Sequence, residues 1–125
     1  MPNATKEYSQ IGLTTEVSTA SNHRLIQLML DKCLQHIITA KVSLIEKDVA
    51  KKCQSISKAM DIIGYLRVCL NFKDKEAVQL SKLLDSIYEY LERTLLHANM
   101  YNDASLLDEA KSRLQDIKSG WDKIK

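Results

Sequence analysis

Backbone breakers are nearly absent from this chain. Its 125 residues include three glycines and one proline, and that proline is Pro2. A turn-rich sheet fold needs many such residues, so their scarcity predicts long helices. From Ser21, a plausible N-cap, apolar residues recur in steps of three and four: Leu25, Ile26, Met29, Leu30, Cys33, Ile37, Ala40 and Leu44. Lys47-Asp48 interrupts the stripe, with Asp48 placed to cap a second helix carrying Val49, Cys53, Ile56, Ala59, Met60, Ile63, Leu66 and Leu70. Asn71 to Lys75 reads as a connection. A third helix is expected from about Glu76 to Met100, then a break at Asn102-Asp103, then a fourth stripe through Leu107, Ala110, Leu114, Ile117, Trp121 and Ile124. Such helices would each span roughly 33–40 Å at 1.5 Å per residue. Matched lengths and short connections make consecutive helices antiparallel. The expected fold is all-α, an antiparallel up-and-down four-helix bundle over residues 21–125.

Residues 1–20 differ. They are rich in Ser and Thr, with Tyr8, Ile11, Leu13 and Val17 scattered among them, and are expected to form a flexible arm. Tyr8 and Ile11 lie three apart, so the arm is expected to fold back over a groove and rearrange when a partner arrives. The polar start offers no apolar signal segment, and no run approaches 18 apolar residues, so a cytoplasmic protein without membrane insertion is expected.

Composition and spacing also narrow the chemistry. Eighteen basic and 16 acidic residues are interspersed, for a net charge of +2, and no basic run exceeds Lys51-Lys52. A nucleic-acid binder concentrates positive charge on one face, so none is expected as a partner. His23, His36 and His97 are dispersed, and no Glu-x-x-His, Cys-x-x-Cys or His-Glu-x-x-His occurs, so neither a metal nor another cofactor is expected. Cys33 and His36 share a helical face, but without a base and an orienter they make no catalytic set, and no enzyme is expected.

What remains is surface. Projected at 100° per residue, the fourth helix confines its large apolar residues to an arc of about 100°, whereas the second and third spread over about 160°. The excess comes from Ile62 and Cys69 on one flank and Cys53 and Met60 on the other, then from Leu83, Tyr90 and Tyr101 opposite Tyr88. Two neighbours in a bundle account for a broad face; so does an exposed groove for a partner helix. Tyr88 and Tyr90 are about 160° apart, so one would pack inside while the other stays available. Gly64 in mid-helix leaves room for a close backbone approach, from a bundle neighbour or from a docked helix.

The order of short segments resembles a known family. Tyr8 with Ile11, Ala20-Ser21 with Leu25-Ile26, Ser57 to Ile63, Leu83, Ile87 to Tyr90, Leu96 to Asn99, Asn102-Asp103 and Trp121 together resemble the FliS family of flagellar secretion chaperones. Asn22 stands where the family usually has Pro, and Asp74-Lys75 where it often has Gly-Gly. The resemblance implies a chaperone that binds the C-terminal region of flagellin. That region would fold into helices on the bundle, be kept from premature polymerisation, and be handed to the flagellar export gate. Within the matching segments, Tyr8, Ile11, Ile62, Leu66, Leu83, Ile87, Tyr88 and Tyr90 are the expected flagellin contacts. A helical adaptor for another amphipathic segment is the alternative, and a bundle enzyme or metal carrier stands third.

Overall fold

A computed structural model describes residues 22–124; the arm, with Tyr8, Ile11 and the proposed cap Ser21, lies outside them. Four helices follow in order: α1 (Asn22–Ile45), α2 (Val49–Val68), α3 (Val78–Tyr101) and α4 (Ala104–Asp122). Each packs on its sequence neighbour, and α4 returns against α1 to close a four-helix ring. The described residues are therefore all-helical, as expected, although α2 and α4 are shorter than their stripes suggested.

Two connections are short because their chemistry stops one helix and starts the next. After α1, Lys47 takes a left-handed conformation (φ 61°). The Lys47 amide donates to the Leu44 carbonyl and the Asp48 amide to that of Ser43, a Schellman termination. Asp48 then accepts from the Lys51 amide and starts α2. After α3, Asn102 supplies the left-handed residue and Asp103 caps α4 by accepting from the Ser105 and Leu106 amides. Lys52 reinforces this end. Its side chain is buried, and its Nζ donates to the Asn99 carbonyl (3.0 Å) and to Asn102 Oδ1 at the C-terminus of α3.

The connection from α2 to α3 is longer and looser. Asn71 accepts from the Lys73 and Asp74 amides and Asp74 from that of Glu76, but Ala77 gives α3 no side-chain cap. α3 starts at Val78, two residues after the expected Glu76.

The core holds most of the expected stripe. Met29, Cys33 and Ile37 of α1, Ile56 and Ile63 of α2, Leu91 and Leu95 of α3, and Leu107 and Leu114 of α4 are all fully or almost fully buried. Fully burying a side chain of this size contributes about 1.5–3 kcal/mol. Burial pushes the Cys33 thiol pKa up, and Sγ lies 3.5 Å from the Ala59 carbonyl, so it stays protonated and packs as a small hydrophobe. Cys69 departs from expectation: it is exposed and ends α2. Gly64 has no bundle neighbour against it. A Cβ there would meet nothing within 4 Å outside its own helix, which removes the bundle half of that expectation.

Candidate functional site

In an up-and-down ring the first turns of α1 and α3 meet the last turns of α2 and α4 at one end. Here they do not close over it. A cleft of about 820 Å³ opens between them, lined by Leu25, Ile26 and Leu30 of α1, Tyr65 and Leu66 of α2, Leu80, Leu84, Ile87 and Tyr88 of α3, and Ile117 and Trp121 of α4. Cys69, Leu70 and Ile124 extend the apolar wall, while Asn22, His23 and Asp116 supply polar positions.

Each wall is fixed in its own way. The α1–α4 wall is held by Trp121, whose indole stacks on His23 (ring centroids 4.9 Å apart) and whose Nε1 donates to the His23 carbonyl at 3.0 Å. Gln27 donates to Asp122 at 2.8 Å, and Lys118 pairs with Asp31 and Asp122. These partners draw the Asp122 carboxyl below its ordinary pKa, chiefly through the hydrogen bond from Lys118. The α2–α3 wall is tied by Arg67, whose Nε reaches Asp85 at 2.8 Å and whose Nη1 reaches Glu92 at 2.9 Å.

The six expected contact residues that the structure describes separate into three groups. Leu66, Ile87 and Tyr88 line the cleft. Tyr88 is only 3% exposed, and burial pushes its phenol up to about 12, so it meets the cleft as a neutral side chain. Leu83 (58% exposed) and Tyr90 (37%) stand outside the cleft lining on the surface of α3, where the Tyr90 hydroxyl donates to Glu109 of α4 and its pKa is raised by that carboxylate. Ile62 was expected toward a flank but is wholly buried among core residues, because α2 turns that edge into the bundle. Tyr8 and Ile11 lie outside the described residues. Of the tyrosine pair, Tyr88 is the inner member and Tyr90 the outer one.

Several lining residues escaped the helix-by-helix reading. Leu25 and Ile26 open the α1 stripe, Leu80 and Leu84 open that of α3, and Ile117, Trp121 and Ile124 close that of α4. Each looked like ordinary core within its own helix. The available signal was topological: antiparallel order brings these stripe ends together. The cleft is concave, mostly apolar and helix-walled, which suits the nonpolar face of an amphipathic helix. Among the described residues no three metal-ligating side chains converge.

Comparison with known proteins decides the family. The sequence model of the family described as "Flagellar protein FliS" matches residues 4–125. The chain belongs to the FliS family. Its relatives include flagellar secretion chaperone FliSB of Pseudomonas aeruginosa, 40% identical over 121 residues, covering 97% of this chain and 94% of the relative. The flagellar secretion chaperones FliS of Salmonella typhimurium (32% identical, 95% of this chain and 87% of the relative) and Vibrio cholerae (29%, 99% and 90%) are similar along their lengths. These relatives are named as chaperones. Ser57 to Ile63 and Ile87 to Tyr90, two of the segments that carried the resemblance, lie on α2 and α3, the helices tied by Arg67. Asn102-Asp103, by contrast, ends α3 and caps α4 at the far end of the bundle, which gives the pair a folding role. No helix among the described residues is long and apolar enough to cross a membrane.

Proposed function

We propose that this FliS protein is a cytosolic chaperone for flagellin. It binds the C-terminal region of flagellin, prevents premature polymerisation and delivers the bound subunit to the flagellar export gate. The observation that carries this reading is the open apolar cleft in a chain of the flagellar secretion chaperone family. A segment that is helical only when bound must recover the entropy of ordering, and apolar anchors entering a preformed cleft supply the needed free energy. In this reading Leu66, Ile87 and Tyr88 receive the anchors directly. Leu83 and Tyr90 extend the contact along the outside of α3, and Ile62 supports α2 from within. Asn22 stands on the cleft lining, and Tyr8 and Ile11, earlier in the sequence, are proposed to contribute to binding.

Trp121 is the one tryptophan and lines the cleft, so its emission reports occupancy. Titration with a flagellin C-terminal peptide is expected to shift that emission saturably while circular dichroism gains helix. Removing residues 1–20 is expected to change the affinity and leave the melting temperature nearly unmoved. Equal binding of unrelated amphipathic peptides would turn the reading toward a general helical adaptor. No response to the flagellin peptide would end it.

A further inference from the structure

We propose that Arg67 is a positioning residue for the cleft: by gripping Asp85 and Glu92 it sets the separation of the α2 and α3 walls and thereby the affinity for apolar ligands. This rests on the reading of the cleft as the cargo site. Arg67 does not itself line the cleft, yet its neighbours Leu66 and Leu70 do. Asp85 likewise stands between the lining residues Leu84 and Ile87 on α3. The guanidinium therefore fastens the two walls from behind.

Other restraints thin out toward the mouth of the cleft. Leu66 and Tyr88 are still buried at the height of the guanidinium, but Leu70 and Leu80 beyond them are more exposed, so fewer facing side chains fix the spacing there. The α2–α3 connection is the longest among the described residues, and Ala77 adds no side-chain cap. At the opposite end the same two helices are joined by Lys52, fully packed core and Cys53 Sγ 3.4 Å from Asn99 Oδ1. Asp85 and Glu92 are seven residues apart, about two turns of one helix face, so a single planar fork grips α3 at two heights. It resists tilting as well as separation. Arg67 and both carboxylates keep about a third of their side-chain surface exposed, so added salt weakens the grip.

That exposure yields a test in the full chain. N-phenyl-1-naphthylamine, an uncharged apolar fluorophore, is titrated with energy transfer from Trp121 as the signal. Salt does not weaken a purely apolar contact, so a salt-dependent affinity for this probe reports the walls rather than the ligand. Wild type is expected to lose about threefold in affinity between low salt and 1 M salt, where the Debye length falls to about 3 Å. Arg67→Met is expected to bind about fivefold more weakly at low salt and to show no further loss. Asp85→Asn with Glu92→Gln is expected to reproduce Arg67→Met from the other helix, and Arg67→Lys to recover only part, since an ammonium cannot fork. Melting curves of each variant confirm that folded protein is compared. Wild-type affinity and salt response in Arg67→Met would overturn the proposal, as would a salt-insensitive wild type or failure of wild type to bind the probe. If the probe behaves as expected but the flagellin peptide binds no variant and no wild type, the cargo reading fails while the positioning role stands.

Discussion

The two ends of this bundle are built from the same amphipathic helices and end differently. At the closed end, α1 passes to α2 and α3 to α4 through left-handed Lys47 and Asn102, each followed by an aspartate that caps the next helix. Buried Lys52 ties α2 to the carbonyl terminus of α3. At the open end the connection is long, α3 lacks a side-chain cap, and the apolar walls stand apart. Backbone groups at a helix end must be satisfied wherever they lie, and at the closed end left-handed residues and aspartate caps do this within two or three residues. Where the chain leaves the end loosely connected, apolar surface stays available. On the proposed reading the contrast separates stability from binding within one small domain.

The largest expected effect tests that separation. Leu107→Ala in the closed half should cost about 2–5 kcal/mol in urea unfolding, because a buried side chain leaves a cavity. Ile87→Ala on the cleft, half-buried already, should cost about 1 kcal/mol or less and weaken flagellin-peptide binding at least tenfold, or about 1.4 kcal/mol. Equal destabilisation by both would show that the cleft wall is structural core. Next, Lys52→Met should cost about 1–3 kcal/mol by leaving the Asn99 carbonyl and Asn102 side chain without their donor, with peptide affinity unchanged. An affinity loss there would couple the two ends.

Much of the closed end was legible in the residues. Asp48 and Asp103 are strong N-cap residues placed just before apolar stripes, so both breaks could be read within a residue or two. The left-handed state of Lys47 could not, since lysine carries no preference for it. The open end was less legible, because a cleft is a relation among four helices. Ile117 and Trp121 continue a regular stripe, and periodicity reports only that they share a face with Leu114. Tyr88 and Tyr90 were separable in principle by their angle on the helix, but the direction of the core came only from how α3 meets α2 and α4.

Smaller effects refine the contrast. Lys47→Gly at the closed end and Gly64→Ala on α2 should each raise stability by about 0.5–1 kcal/mol, the first by relieving a left-handed residue and the second by improving an open helix position. Loss of flagellin-peptide affinity in Gly64→Ala alone would mark that position as a close approach by a docked helix. The smallest effect is a pH dependence. The Asp103 carboxyl is held below its ordinary 3.8, first by the Ser105 hydroxyl and then by the helix amides. A depressed carboxylate stabilises the fold above its unfolded pKa and loses that contribution as pH falls through the folded value. The melting-temperature gap between wild type and Asp103→Ala should therefore hold at pH 6 and shrink below pH 3.8. A constant gap would mean that the cap works regardless of charge.

The clasp between Trp121 and His23 joins residues 98 apart in sequence. It has a consequence for the order in which the protein becomes competent. Chain synthesis delivers α1 first and α4 last. Until Ile117 and Trp121 have emerged and docked, Leu25 and Ile26 face no opposite wall, and the cleft does not exist. Closing that long interval is also the least favourable loop closure in the ring, since its entropic cost grows with the length enclosed. On the proposed reading a copy lacking α4 has no receptor, and α4 is the helix that completes it.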